Sequence, residues 1–359
     1  MPGLPFFKLP ELSQEAILQQ LEFHELLKFG LTSKKAMKYA RCLGRLSFEN
    51  MSASIYEDHM EIYLYSRNRT VSITFKILYY RVLDRPSDRP WNAIKTCEWT
   101  GFNGQRVEEY EETADANGKK DFIYLVFPSR DFATGARELL RTIVESFGDS
   151  RIYLTFTPRP IVFPLVNFFK RLPVVRLDVR YTDFYWTPLN GDVIHNMLEF
   201  NVTDHLDIWA KVLEGVQYDI GFTIPKVKIQ SAHWVHVNAI LNSTTADFMF
   251  GDSPYPTAEF LKSILSHWIS NQHMKNLVRI GWSRWQNNSR NPNWPEGIKE
   301  LIQGLGEAVV DEQSLSLEEK QKLDRYNNEA AGKFIRRVDQ RLAVVAMGSC
   351  DFYVRVIPN

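Results

Sequence analysis

The chain has 359 residues, 44% of them apolar and 13% aromatic, which is enough to bury a large core and excludes wholesale disorder. Lysine plus arginine and aspartate plus glutamate both number 43, so no global charge steers the chain toward nucleic acid or an anionic membrane. Cys42, Cys97 and Cys350 are odd in number and lack CxxC spacing, which excludes a disulfide framework and a cysteine-based zinc site and fits a reducing compartment.

The first twelve residues, MPGLPFFKLPEL, break their apolar stretch with proline and turn acidic by Glu11, unlike a secretory signal. No segment reaches the roughly 18 continuous apolar residues of a membrane helix. The expectation is a cytoplasmic and/or nuclear protein with no membrane partner, in which Asn68-Arg69-Thr70 is a chance sequon rather than a glycosylation site.

Pro10 suits a helical start, Ser13 is a good N-cap, and Glu15 would sit in the first turn, where a carboxylate favours the helix dipole. This predicts a helix from about Gln14 whose apolar stripe is Ile17, Leu18 and Leu21, widened by Ala16. A second short helix carries Leu26, Leu27 and Phe29 and loosens at Gly30. Thr32 or Ser33 then caps a third, with Met37, Ala40 and Leu43 inward and Lys34, Lys35, Lys38 and Arg41 outward. Three helices in about 40 residues make a marginal unit. Its leucines, at roughly 1.5 to 3 kcal/mol each, call for cover from the rest of the chain or from a partner helix-in-groove interface.

Leu9-Pro10-Glu11-Leu12, Ile17-Leu18, Leu21, Glu25-Leu26-Leu27 and Leu31-Thr32-Ser33-Lys34-Lys35 resemble, in order and spacing, an F-box. The resemblance implies a trihelical module over residues 1–46 that docks on a Skp-family adaptor and, through it, on a cullin. The docking residues it implies are Leu9, Pro10, Leu12, Ile17, Leu18, Leu21, Leu26, Leu27, Leu31 and Ser33. Glu25 stands where an aspartate is common, and Ala36 where many members carry tryptophan.

From about residue 47 the pattern becomes extended. Residues 60–65 (MEIYLY) and 70–75 (TVSITF) alternate as strands do, joined by a turn at Arg67-Asn68-Arg69. Residues 106–110 and 121–127 flank Asn117-Gly118, a dipeptide suited to tight turns. Residues 47–130 therefore read as a mainly β, antiparallel region, with a loop at Arg85–Pro90.

Residues 131–306 alternate strands with amphipathic helices, the clearest at 137–147 and 259–269. The strands share an apolar-x-apolar core at 154–156, 177–179, 206–208, 227–229, 248–250 and 278–280. The middle residues of the last five, Asp178, Asp207, Lys228, Met249 and Arg279, are separated by 29, 21, 21 and 30 positions, close to the roughly 20 to 29 residues of a leucine-rich repeat. The expected fold is thus α+β passing into α/β. It comprises the helical module, the antiparallel region and irregular leucine-rich-repeat-like strand–helix units on a curved parallel sheet; an ordinary doubly wound sheet is the alternative. A polar linker or helix at 307–333 and a closing β-hairpin at 334–359 complete it.

Val227-Lys228-Ile229, His233-Trp234, Ile240-Leu241, the strand at Phe248, residues 259–268 and Leu277–Ile280 resemble the F-box-associated domain of the second type, abundant in nematode F-box families. So do Phe334–Asp339, Leu342–Val345 and Phe352–Val356 at the C-terminal end. Gln340 replaces the glycine usual after the aspartate, which predicts a wider turn. The resemblance implies a region, residues 47–359, that binds a protein substrate.

No GxGxxG, Walker, GxSxG or HExxH pattern occurs, leaving nucleotide, serine-hydrolase and zinc-protease chemistry without a motif. His233 and His236 lack a third ligand nearby. The acidic run Glu108, Glu109, Glu111 and Glu112 reads as a solvated sheet edge, and Trp282, Trp285 and Trp294 as core or an aromatic pocket. No catalytic residue, cofactor or metal ligand is assigned. By parity, residues alternating with the buried apolar pairs share one sheet face: Arg176, Asp178, Arg180, His205, Asp207, Trp209, Lys226, Lys228, Gln230 and Met249. That face is the candidate site for a protein substrate. The expectation is a non-enzymatic substrate adaptor of a Skp-cullin-F-box ubiquitin ligase; a ubiquitin-independent repeat scaffold or a hydrolase without a recognisable motif are the alternatives.

Overall fold

A computed structural model describes residues 6–21, 23–42, 48–57, 59–66, 74–81, 93–100, 106–112, 122–129, 132–147, 150–159, 162–180, 188–251, 258–270, 274–283, 300–324, 333–347 and 351–357. It is a mixed α and β protein whose chain forms two compact units, residues 1–174 and 175–359. The turns expected at 67–69 and 117–118, the loop at 85–90, Leu43, Trp285 and Trp294 lie outside the described residues.

The first unit begins with α1 (Glu11–Gln20), α2 (Phe23–Gly30) and α3 (Lys34–Cys42). α1 starts three residues before its expected position, with Pro10 rather than Ser13 at its N-cap. Proline has fixed φ and no N–H to satisfy, so it can occupy this position without a side-chain cap. The Gln14 side chain donates back to the Leu9 carbonyl at 2.7 Å. Ser33 caps α3 as expected, its Oγ accepting from the Ala36 N–H at 3.0 Å. Gly30 is a point of close approach, since a Cβ there would lie 2.9 Å from the Met37 Sδ.

Strands β1 (Phe48–Ile55), β2 (His59–Ser66), β3 (Thr74–Arg81), β4 (Ala93–Thr100), β5 (Arg106–Glu112), β6 (Phe122–Ser129) and β7 (Arg151–Phe156) line up as β7-β1-β2-β3-β6-β5-β4. The expected hairpin pairings β2–β3 and β5–β6 are present and antiparallel. The region is nevertheless mixed, because β1–β7 and β3–β6 pair in parallel. β7 returns to β1 after α4 (Phe132–Phe147), the kind of long crossover that parallel pairing requires. The acidic run sits in β5, between β4 and β6 rather than at an edge. Alternate residues of β1, β2 and β7 are buried, as are Ala136, Leu139, Leu140, Ile143 and Val144 of α4, one stripe at helical spacing.

The second unit contains β8 (Val174–Arg180), β9 (Val202–Trp209), β10 (Lys226–Ile229), β11 (Asp247–Gly251), β12 (Arg279–Ser283), β13 (Val309–Val310), β14 (Lys333–Arg336), β15 (Leu342–Met347) and β16 (Asp351–Val356). Their order is β8-β9-β10-β11-β12-β16-β15-β14-β13. β9 to β12 are successive parallel neighbours, with none of the order reversal that marks a doubly wound sheet. β12–β16, β16–β15, β15–β14 and β14–β13 are antiparallel. α5 (Phe163–Val166) belongs to the first unit, and the crossovers of the second carry α6 (Gly191–Leu198), α7 (Val237–Leu241) and α8 (Ala258–Ile269). The β9–β10 connection carries no helix among its residues 210–225. Further along, α9 (Leu317–Asp324) falls in the stretch expected to be polar.

Leu206, Ile208, Val227, Ile229, Phe248, Phe250, Ile280 and Trp282 point from successive parallel strands into the core. Trp282 packs at 5.1 Å from Phe250 and 5.9 Å from Phe352, so this tryptophan is core rather than pocket. The β14–β15 turn is not widened: Arg337 N–H donates to the Arg341 carbonyl at 2.9 Å, and Gln340 takes φ of 70°, the conformation a glycine would adopt there.

Candidate functional site

The helical module keeps most of its apolar side chains to itself. Leu18, Leu26, Leu27 and Leu31 are at most 1% exposed, and Met37, Ala36 and Ala40 are buried with them. These four leucines are therefore buried by the chain, and the surface left for a partner narrows. Pro10 and Leu12 are exposed, Leu12 to 80%, while Leu9, Ile17, Leu21 and Ser33 are half-buried. Beside them Phe7 meets Phe29 and Tyr39 at 6.1 and 5.6 Å, with the Lys35 ammonium 4.5 Å from the Phe7 ring.

In the second unit strand register, ion pairs and ring contacts bring together the residues assigned to one face by parity, apart from Gln230. Strand register sets Asp207 beside Lys228 and Lys228 beside Met249, and one row over sets His205 beside Lys226. Ion pairs bring in β8: Arg176 Nε donates to Asp178 Oδ1 at 2.8 Å and Arg180 to Asp178 Oδ2 at 3.3 Å. Asp207 Oδ2 lies 3.8 Å from Arg176, 3.9 Å from Arg180 and 3.9 Å from Lys228. Three cations thus converge on one carboxylate whose side chain is 3% exposed. Trp209 carries two of them over its ring, Lys228 at 4.7 Å and Arg180 at 5.7 Å, an arrangement the ring quadrupole favours. Lys226 pairs with Asp204 at 3.5 Å, and Gln230 is buried at the strand end, where its N–H continues the ladder to Ile208.

Burial, more than any neighbour, pushes the Asp207 carboxyl up, while Lys228 pulls it down. Burial and then the Arg176 charge push His205 down, which leaves the imidazole neutral at physiological pH. Asp178, His205 and Asp207 present ligand atoms within 4.8 Å of one another. A metal centre is the wrong chemistry for them. Both Asp178 oxygens already accept from arginine, and a divalent ion would stand among three positive side chains.

The parity reading stopped at Met249, two strands early. Register continues the rows through Asp247 to Arg279 and Arg355, and through Met249 to Gly281 and Tyr353. Arg279 and Asp247 form a two-point ion pair at 2.9 and 2.7 Å. The motif read at 278–280 is two residues out of step: Arg279 pairs with Asp247 rather than Met249, Val278 is 51% exposed, and the buried pair is Ile280 and Trp282 around Gly281.

The two histidines near α7 serve separate local roles. His233 Nε2 lies 3.1 Å from the Val212 carbonyl, and His236 Nδ1 accepts the Asn238 N–H as the α7 cap. Among the described residues no helix is long and apolar enough to cross a membrane. Comparison with protein-family models, with curated proteins and with solved structures gives no match.

Proposed function

We propose that this chain is the substrate-recognition adaptor of a Skp-cullin-F-box ubiquitin ligase: its N-terminal helices dock on a Skp-family adaptor, and its second unit holds a protein substrate. Catalysis then belongs to other subunits, and this chain contributes proximity by raising the local concentration of a substrate lysine. The observation that carries the reading is Leu12. A three-helix module with its own buried leucines leaves this one 80% exposed beside an exposed Pro10, at the positions the F-box resemblance assigns to docking. The sequential parallel strands of the second unit, with side chains alternating between core and open face, fit the irregular leucine-rich-repeat-like units of the same reading.

Calorimetric titration of the full chain against the Skp-family adaptor tests it. The expected result is submicromolar binding, weakened at least tenfold in Pro10→Ala/Leu12→Asp. Absence of binding by the unaltered chain sinks the proposal. A ubiquitin-independent scaffold whose N-terminal helices only cap the fold would then be the better account, favoured by the packing of α3 on α4.

A further inference from the structure

The open face of the second unit has a chemical gradient. On its rows Arg176, Arg180, Lys226, Lys228, Arg279 and Arg355 stand against Asp178, Asp207, Asp247 and the Asp204 partner of Lys226, a local cationic excess in a chain of zero formal charge. The central row then turns apolar: from Lys228 it passes to Met249, Gly281 and Tyr353. Gly281 is what lets that apolar end close up, since a Cβ there would lie 3.0 Å from the Met249 Sδ and 3.3 Å from the Tyr353 Cβ.

We infer that this face binds an extended acidic peptide of a partner protein, a carboxylate side chain lying over Arg180 and Lys228 and an apolar side chain over Met249 and Tyr353. This deepens the adaptor reading by naming the substrate's chemistry. Charge complementarity argues for it, and so does length. Lys228 and Tyr353 are three strand spacings apart, about 14 Å. An extended chain rises about 3.3 Å per residue, so carboxylate and apolar anchor should stand about four residues apart. Two of these cations lie over the Trp209 ring, Lys228 at 4.7 Å and Arg180 at 5.7 Å, which fixes where a ligand carboxylate would meet them. A nucleic acid fits less well, since its evenly charged backbone would lay phosphates over the apolar Met249 and Tyr353 end of the row.

The probe is a fluorescein-labelled peptide carrying two glutamates and, four residues on, a phenylalanine, titrated by anisotropy with the purified full chain. The expected result is salt-sensitive binding that weakens at least tenfold in Lys228→Gln and in Arg180→Glu, and at least fivefold in Met249→Asp. It should also weaken when the phenylalanine is moved to two residues from the glutamates. Thermal melts identify any variant that fails to fold, and the altered peptides test the same point with the unaltered chain. No binding, equal binding of a peptide with lysines for glutamates, or tighter binding of oligouridylate overturns the inference. Adaptor titration is separate: a chain that binds the adaptor but not the peptide keeps the ligase reading and loses this one, and the reverse pattern does the opposite.

Discussion

Arg337 is the most demanding residue of the β14–β15 turn. Its side chain is 2% exposed, lies against Trp268 at 5.5 Å, and is neutralised by Asp339, to which its Nε donates at 2.7 Å. Hydrogen bonds from Arg337 are the largest cause holding the Asp339 carboxyl down at about 2. A depressed carboxylate stabilises the fold fully above its unfolded value near 3.9. That contribution is lost as pH falls through the folded value, so acid melts should show a decline between about pH 4 and pH 2. Asp339→Asn should flatten that decline and destabilise at neutral pH by about 2 to 3 kcal/mol, since it strands a buried guanidinium. An unchanged acid limb would mean the pair is not what senses pH. One residue on, Gln340 holds φ of 70°, where a Cβ is disfavoured by roughly 1 kcal/mol or more. Gln340→Gly should therefore raise stability by about 0.5 to 1 kcal/mol in denaturant titration; a loss would place the strain elsewhere.

Between elements, the β9–β10 connection shows how a segment without a helix is held. Gly221 passes so close to α7 that a Cβ would lie 2.2 Å from the Asn242 carbonyl oxygen. The next residue is fixed by its N–H donating to the Ser243 Oγ at 2.7 Å. Because the obstacle is backbone, Gly221→Ala should destabilise by about 2 kcal/mol, within the range of overpacked cores; denaturant unfolding with a shift under about 0.5 kcal/mol would show that the loop yields. The sequence offered no such warning for this loop, because a close approach between residues 21 apart leaves no local pattern. It did offer β9 to β11, where two buried apolar residues bracket one position of the opposite face in each strand, and α4 and α8, whose stripes recur at helical spacing. It could not offer the parallel pairs β1–β7 and β3–β6. Asn50 meets Arg151 across about a hundred residues, and alternation reads the same whichever way the partner runs. The proposed recognition face was legible as far as β11 for the same reason, by parity alone, whereas the four buried leucines of residues 18–31 were legible as apolar but not as already covered.

At the scale of the molecule, the two proposed activities fall in different compact units, docking in residues 1–174 and recognition in residues 175–359. Exchanging the charges of Asp207 and Lys228 should therefore weaken capture of the acidic peptide at least tenfold and leave adaptor affinity within twofold, measured by anisotropy and calorimetry on one preparation. Loss of both together, or of neither, would sink this division. The rows that form the face come from six strands scattered between Val174 and Val356, and each strand lends it only alternate positions. On the proposed reading a substitution at Lys228, Met249 or Tyr353 changes what the surface binds, while Val227, Phe248 and Phe352 beside them stay in the core. If the face recognises proteins as proposed, such a scaffold can change its target one codon at a time without altering its fold.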